Sequence, residues 1–296
     1  HKTRHAAIER KLKDTGESEE PRISPVLSVD TAADHNSAGT FYTVMPEVGI
    51  DSRHASLVAS IPWYRNSGST FSNAGIGDVY ATGLLRTSVK RYDLASSLTI
   101  GFPTGDHALG LGAGKLTFDA AGTVVVNFGK IRPFVTAGFA NSIFNIGYQR
   151  PYISDGNPAH FAGGAEFQLT GRLLVGVGGF AVRPQGEQAV VSRAMAAMPG
   201  NGNGTGSGNG MGAGNGMGNG RGQSGTPHVP VYAVAPQYSA PASDLQDHGA
   251  NAWASFRLHQ GVNLNFAVAR SVPFQLTTVQ VGLGFDLAHF LFPAGR

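Results

Sequence analysis

The chain has 296 residues, 22 Lys and Arg against 19 Asp and Glu, and a formal net charge of +3, so only 14% of it is charged beside an ordinary 41% hydrophobic share. Soluble domains carry roughly 25% charged residues, so low charge without excess greasiness argues against that class; the lack of cysteine excludes disulfides, thiolate metal sites and covalent haem. No run of 18 apolar residues occurs, which excludes a membrane-spanning helix, and no Lys/Arg cluster interleaved with aromatics suggests nucleic acid.

Residues 1–21 are dense in charge and lack apolar periodicity, which predicts a solvated tail or short helix outside the core. The chain starts at His1 with no charged-then-apolar leader and is read as a processed or trimmed product. From there to Phe292, segments with a two-residue period recur about twelve times, each about the 9 to 11 residues that a tilted strand needs to cross a bilayer.

The first two segments, Ile23 to Asp30 and Thr40 to Ile50, are interrupted by Pro25 and Pro46, where a missing N–H predicts a broken ladder unless a bulge takes it up. Next come His54 to Tyr64, with Leu57, Ala59, Ile61 and Trp63 on one face, and Ile76 to Val89, with Val79, Ala81 and Leu85 against Asp78, Tyr80, Thr82 and Arg86. Leu94 to Phe102, Leu116 to Phe128, Phe134 to Ile146, Phe161 to Thr170, Leu173 to Val182 and Ala250 to Leu258 continue the pattern. In Val262 to Ala269, Val262, Leu264, Phe266 and Val268 oppose Asn263, Asn265, Ala267 and Ala269. The last segment, Gln275 to Phe292, sets Val279, Val281, Leu283, Phe285 and Leu287 against Gln280, Gly282, Gly284, Asp286 and Ala288.

Short links near Asp51 to Arg53, Lys90 to Asp93, Gly129 to Pro133, Gly171 and Arg172, and His259 to Gly261 alternate with longer ones at Tyr64 to Gly75, Pro103 to Lys115, Tyr148 to His160 and Pro184 to Gly249. Ala32 to Ala38 and Arg270 to Gln275 fall among the latter but are shorter. Outer-membrane barrels have short periplasmic turns and longer external loops. The pattern therefore predicts a transmembrane, antiparallel, up-and-down β-barrel of about 12 strands in the bacterial outer membrane, with both termini periplasmic. Its organisation is a tail at 1–21, a barrel at 22–292, a long external loop at 185–248 and a C-terminal tail at 293–296. Within the loop, 199–226 is a Gly/Asn-rich insert that reads as a flexible coil, and Gln188 to Met198 as a short helix over the mouth.

Aromatic residues at the strand ends predict two girdles. Tyr42, Trp63, Phe102 and Phe180 fall at external ends, and Phe128, Phe134, Phe290 and Phe292 at periplasmic ends. Charges within strands must face the lumen, because they are costly in lipid. Glu47, Arg86, Glu166, Arg257 and Asp286 map to the periplasmic halves, and Asp78 and Asp119 nearer the outside. They form either a charged constriction that selects solutes or a salt-bridge network that plugs the barrel.

Gly75 to Asp78 (GIGD), Leu98 to Asp106 (LTIGFPTGD) and Gly110 to Phe118 (GLGAGKLTF) resemble the outer-membrane barrels of the MetA-pathway-of-phenol-degradation family, also described simply as transporters. The likeness covers about forty residues, and Pro-Thr-Gly-Asp is turn chemistry as well as a fingerprint. It implies a small-molecule pore, for hydrophobic or aromatic compounds among others, with no catalytic residues carried over.

No enzyme signature competes. His54 and Ser56 lie two apart on one face, as in outer-membrane lipid deacylases, but no carboxylate completes a relay. The histidines show no metal-binding spacing, and no cofactor is expected; His107 and His160 read as solvated loop residues. The expected function is a passive channel with membrane lipid and a small solute as its partners. The alternative is a structural barrel that anchors or sheathes a protein partner, a surface complex or an electron-carrying cytochrome, through the N-terminal tail or the 199–226 loop.

Overall fold

A computed structural model describes residues 23–37, 39–68, 72–142, 152–192 and 237–288. Among them, one antiparallel sheet closes on itself through twelve staves. Ten staves are single strands: β1 (Ser24–Asn36), β2 (Gly39–Asp51), β7 (Tyr92–Phe102), β8 (Thr117–Val126), β9 (Ile131–Ala140), β11 (Ala159–Gln168), β12 (Leu173–Arg183), β15 (Asp247–His259), β16 (Val262–Ser271) and β17 (Thr277–Asp286). Two are interrupted, β3 (Ala55–Ser60) with β4 (Trp63–Gly68), and β5 (Ser72–Ile76) with β6 (Val79–Val89). β1 pairs with β2 on one side and with β17 on the other, which closes the ring. A separate three-stranded sheet orders β10 (Tyr152–Asp155), β13 (Glu187–Ser192) and β14 (Gln237–Pro241).

The alternation decides which face meets lipid. Leu264, Phe266 and Val268 are 36%, 46% and 37% exposed, whereas Asn265 between them is 8% exposed. Leu57, Leu85, Leu98, Val135, Val177, Val279 and Val281 extend the outward apolar surface round the ring. A soluble barrel would fold this face inward. Here it lies outside, where only hydrocarbon makes the arrangement favourable. Inward positions carry small and polar groups, with paired hydroxyls as rungs: Thr82 and Thr99 at 3.0 Å, Thr123 and Thr136 at 2.9 Å.

The ladder shows how the two prolines are accommodated. β1 and β2 run unbroken through Pro25 and Pro46, and the break falls on the neighbouring stave, at Ile61 and Pro62. There Ile61 N–H donates to Pro46 O at 3.3 Å and Gly77 N–H to Pro62 O at 2.8 Å. The register between these staves shifts by one residue, from Trp63↔Ile76 to Ser60↔Tyr80, so an extra residue is taken up as a bulge. It leaves Gly77 and Asp78 buried in succession.

Strands outrun the sequence reading at the end bearing the long loops. β1 continues to Asn36 and pairs it with Gly39, and β4 and β5 form a ladder through stretches expected to be loop. The expected helix at Gln188 to Met198 is corrected over its described part: Gln188 to Ser192 belong to β13, paired with β10 and β14. The charged tail, the Gly/Asn-rich insert, Phe290 and Phe292 lie outside the described residues.

Candidate functional site: the lumen wall and its loop-end mouth

The functional surface of a barrel is its inner row of side chains, which here has three parts. The tier nearest the tight turns is charged. Arg86 on β6 donates from Nε to Arg53 O at 3.1 Å, and its Nη2 engages the Asp51 carboxylate and Ser52 O. Arg132 on β9 donates from Nε to Asn127 Oδ1 at 3.0 Å and bridges two carboxylates, Asp93 at 3.3 Å and Glu166 at 3.4 Å. Asp93 is held further by Ser88 Oγ and Asn127 Nδ2, each at 2.7 Å. Ser28 Oγ donates to Glu47 at 2.6 Å, while Arg257 and Asp286 are half-buried on the same inward parity. Burial of both partners, about 6% side-chain exposure for Arg132 and Glu166, strengthens the attraction and makes loss of either one costly.

A second part of the wall, beside Glu166 across the β11–β12–β15 ladder, is apolar. Trp253 on β15 is 5% exposed and packs with Leu174 and Phe134; its ring meets that of Phe134 edge-on at 5.7 Å between centroids. Gly176, paired with Trp253 across the β12–β15 ladder, makes room, since any Cβ there would strike the indole. The indole Nε1–H has no hydrogen-bond partner among the described residues.

The loop-end tier is closed inward by the segment 103–116. Asp78, fully buried, accepts from Gly105 N–H on Oδ1 at 2.9 Å and from Ala113 N–H on Oδ2 at 2.7 Å. One carboxylate thus grips both limbs of the loop. Glycine is required at the contact: a Cβ on Gly105 would lie 2.8 Å from Gly77 C and 2.7 Å from Leu111 O, and one on Gly112 would strike Asp78 Oδ1. Asp106 caps the short 3₁₀ turn His107–Leu109, accepting from Ala108 and Leu109 N–H at 2.8 and 3.2 Å. The loop then delivers Leu111 and Ala113 into a cluster with Tyr64, Tyr80 and Ile153. Lys115 meets Asp155 of β10 at 3.3 Å; burial pushes the Asp155 carboxyl above its ordinary value against the pull of Lys115 and His107.

Each sequence-selected lumen residue has a definite place. Glu47, Arg86, Glu166, Arg257 and Asp286 lie in the turn-end tier, Asp119 lies near the loop end 2.9 Å from His160, and Asp78 sits beneath the mouth as the loop's anchor. Of the aromatic residues, Tyr42, Phe102 and Phe128 are exposed toward strand ends, whereas Trp63, also exposed, lies midway along its stave, paired with Val44, so its place in the external girdle is corrected. Two more girdle assignments are corrected. Phe134 packs against the buried Trp253, and Phe180, paired with Gly249, shares the inward parity of Leu174 and Val182. Their position along the strand suggested a girdle; their parity puts them inside. His160 is also corrected: it is 8% exposed in β11 and bonded to Asp119, whereas His107 is exposed. His54 is exposed in a bend, and Ser56 lies in β3. The wall also uses Asp51, Asp93 and Arg132, which the sequence reading assigned to turns, and Trp253, whose parity with Arg257 was the available signal.

No family model matches the sequence, and no curated protein matches it. Among solved structures, an outer-membrane channel from Pseudomonas putida F1 superposes with a TM-score of 0.58 at 10% identity, covering 92% of this chain and 98% of that one. The KdgM porin, solved with disordered oligogalacturonate, gives 0.44 at 8% identity over 87% and 98% of the two chains. The toluene transporter TodX of Pseudomonas putida gives 0.39 at 7% identity over 90% and 89%. The first likeness shows the fold, that of an outer-membrane β-barrel; the other two superpose too loosely to add to it.

Proposed function

We propose that this outer-membrane barrel is a passive channel for small solutes, hydrophobic or aromatic ones among them. The observation that carries the reading is the make-up of the inner wall: an apolar cluster of Phe134, Leu174 and Trp253 lies beside a charged tier, and a fastened loop narrows the mouth. A purely structural cylinder needs no such mixed lining. A channel uses each part: the loop limits size, half-buried Phe134, backed by the packed Leu174 and Trp253, offers an apolar contact, and the charged tier sets the field that a solute meets.

In this reading Glu47, Arg86, Glu166 and Arg132 form the constriction, the tight-turn end is periplasmic, and the loops are external. Liposome swelling tests it. Vesicles carrying the barrel should admit small neutral aromatic solutes, and Phe134→Ala should slow them relative to sugars of similar size. If no solute of any class enters faster than into empty vesicles, the channel reading fails, and the charged tier is a plug in a structural barrel.

A further inference from the structure

At the tight-turn end, charge is sorted by face. The carboxylates there, Glu47, Asp51, Asp93, Glu166 and Asp286, are buried or half-buried toward the lumen. The cations in the connecting turns, Arg53, Lys90, Arg91, Lys130 and Arg172, are all exposed, and among the described residues no exposed carboxylate shares that end. An even mixture of signs would suit water equally well. A collar of one sign calls for an anionic partner.

Two neighbouring turns concentrate the collar. β7 lies against β8, which sets the Lys90–Arg91 turn beside the Phe128–Lys130 turn; Asn127 N–H donates to Arg91 O at 2.7 Å. The Arg91 guanidinium lies 5.3 Å from the centroid of the Tyr92 ring and 5.5 Å from that of Phe128, and it donates to Tyr92 Oη at 3.2 Å. Both rings are exposed on the lipid-facing parity at the end of their strands. The cation is therefore held at the edge of the hydrocarbon instead of being extended into water.

The backbone supplies a second, independent sign. Lys90 has φ +56°, a left-handed conformation that the turns at Gly129 (+70°) and Gly261 (+79°) give to glycine. A side chain at such a position strains the backbone where glycine would not. An ammonium kept there despite the strain points to a use for its charge.

We propose that these two turns form a binding site for the phosphate headgroup of an anionic glycerophospholipid. The Arg91 fork takes phosphate oxygens, Lys90 and Lys130 flank it as point charges, and Tyr92 and Phe128 pack on the glycerol and the first acyl carbons. The partner is lipid because the rings beside the cations already face the bilayer.

Native mass spectrometry of the delipidated barrel, given equal phosphatidylglycerol and phosphatidylcholine, tests the site. Wild type should retain phosphatidylglycerol in preference, and Arg91→Gln with Lys130→Gln should weaken that retention roughly fivefold per cation removed, while phosphatidylcholine is unaffected. Arg65→Gln, at the opposite end, should change nothing. Lys90→Gly separates binding from structure, because it relieves the turn and should raise heat resistance while lowering phosphatidylglycerol retention. Equal retention of both lipids by wild type, or undiminished phosphatidylglycerol in the turn variants, overturns the proposal. So does lipid A binding as well as phosphatidylglycerol and being lost in the same variants, since the site would then belong to a different lipid class.

Discussion

Replacing Asp78 by asparagine should lift the loop without opening the barrel. The two buried oxygens of Asp78 each accept one backbone N–H, from Gly105 and from Ala113. Asparagine keeps the shape and one acceptor but turns an NH2 toward the other donor. A hydrogen bond to a charged group contributes about 1.5 to 3 kcal/mol, and a buried donor left without a partner costs about 1 to 3 kcal/mol, so one limb of the loop loses roughly 3 kcal/mol. At about 1.4 kcal/mol per factor of ten, the ratio of seated to lifted loop falls by roughly two orders of magnitude. The barrel ladder makes no use of this carboxylate, so the heat-modifiable gel shift of the folded barrel should be unchanged. Limited trypsinolysis reads the loop directly, because lifting it frees Lys115 from Asp155, and mass spectrometry of the fragments locates the cut. Single-channel conductance should rise in the same variant. Cleavage at Lys115 as slow as in wild type, with unchanged conductance, would refute the anchoring role of Asp78.

Three further outcomes follow from the same geometry. Arg132→Met leaves Asp93 and Glu166 facing each other without their shared cation, which should cost about 3 to 5 kcal/mol in unfolding and shift reversal potentials toward cations; unchanged ion preference would exclude this tier from the conduction path. Phe266→Arg, on the outward row midway along β16, should cost about 2 to 4 kcal/mol in vesicles by urea titration, whereas Asn265→Arg beside it should cost less, and the reverse order would invert the assignment of faces. The Asp155 carboxyl is raised above 3.8 by burial, so its contribution to docking of the small sheet is full below that value and is lost as pH rises through the raised one. Hydrogen exchange of β10 amides, corrected for intrinsic rates, should therefore show more protection in acid. Asp155→Asn should flatten that dependence, and greater protection at neutral pH would count against it.

The alternation was readable wherever a strand crosses hydrocarbon, because there one face must be apolar and the other need not be. Val262 to Ala269 carries that contrast without exception, and the structure keeps every residue on its expected side. Where strands project past the lipid the contrast disappears. Asp34 and Asn36 still point inward, but His35 and Thr31 opposite them are polar, so the last turns of β1 read as loop. The same reason hid β4 and β5, whose sequences, WYRNSG and SNAGI, hold little that needs hydrocarbon. The link Gly129 to Pro133 reads as a turn, which puts the start of β9 at Phe134 and hides Arg132, the central cation of the charged tier. The GIGD and PTGD motifs were visible as words, but the grip of Asp78 on two backbone amides depends on a one-residue bulge that no spacing rule reveals.

The seam between β1 and β17 joins the two ends of the chain; Thr278 Oγ1 donates to Asp34 across an interval of 244 residues. Until the final strand is delivered, the nascent sheet has two raw edges, each a row of amides and carbonyls ready to recruit foreign strands. Assembly must therefore be close to all-or-none with respect to length: a polypeptide shortened by one strand at either end has nothing to zip against, and it should accumulate as a protease substrate instead of a smaller ring.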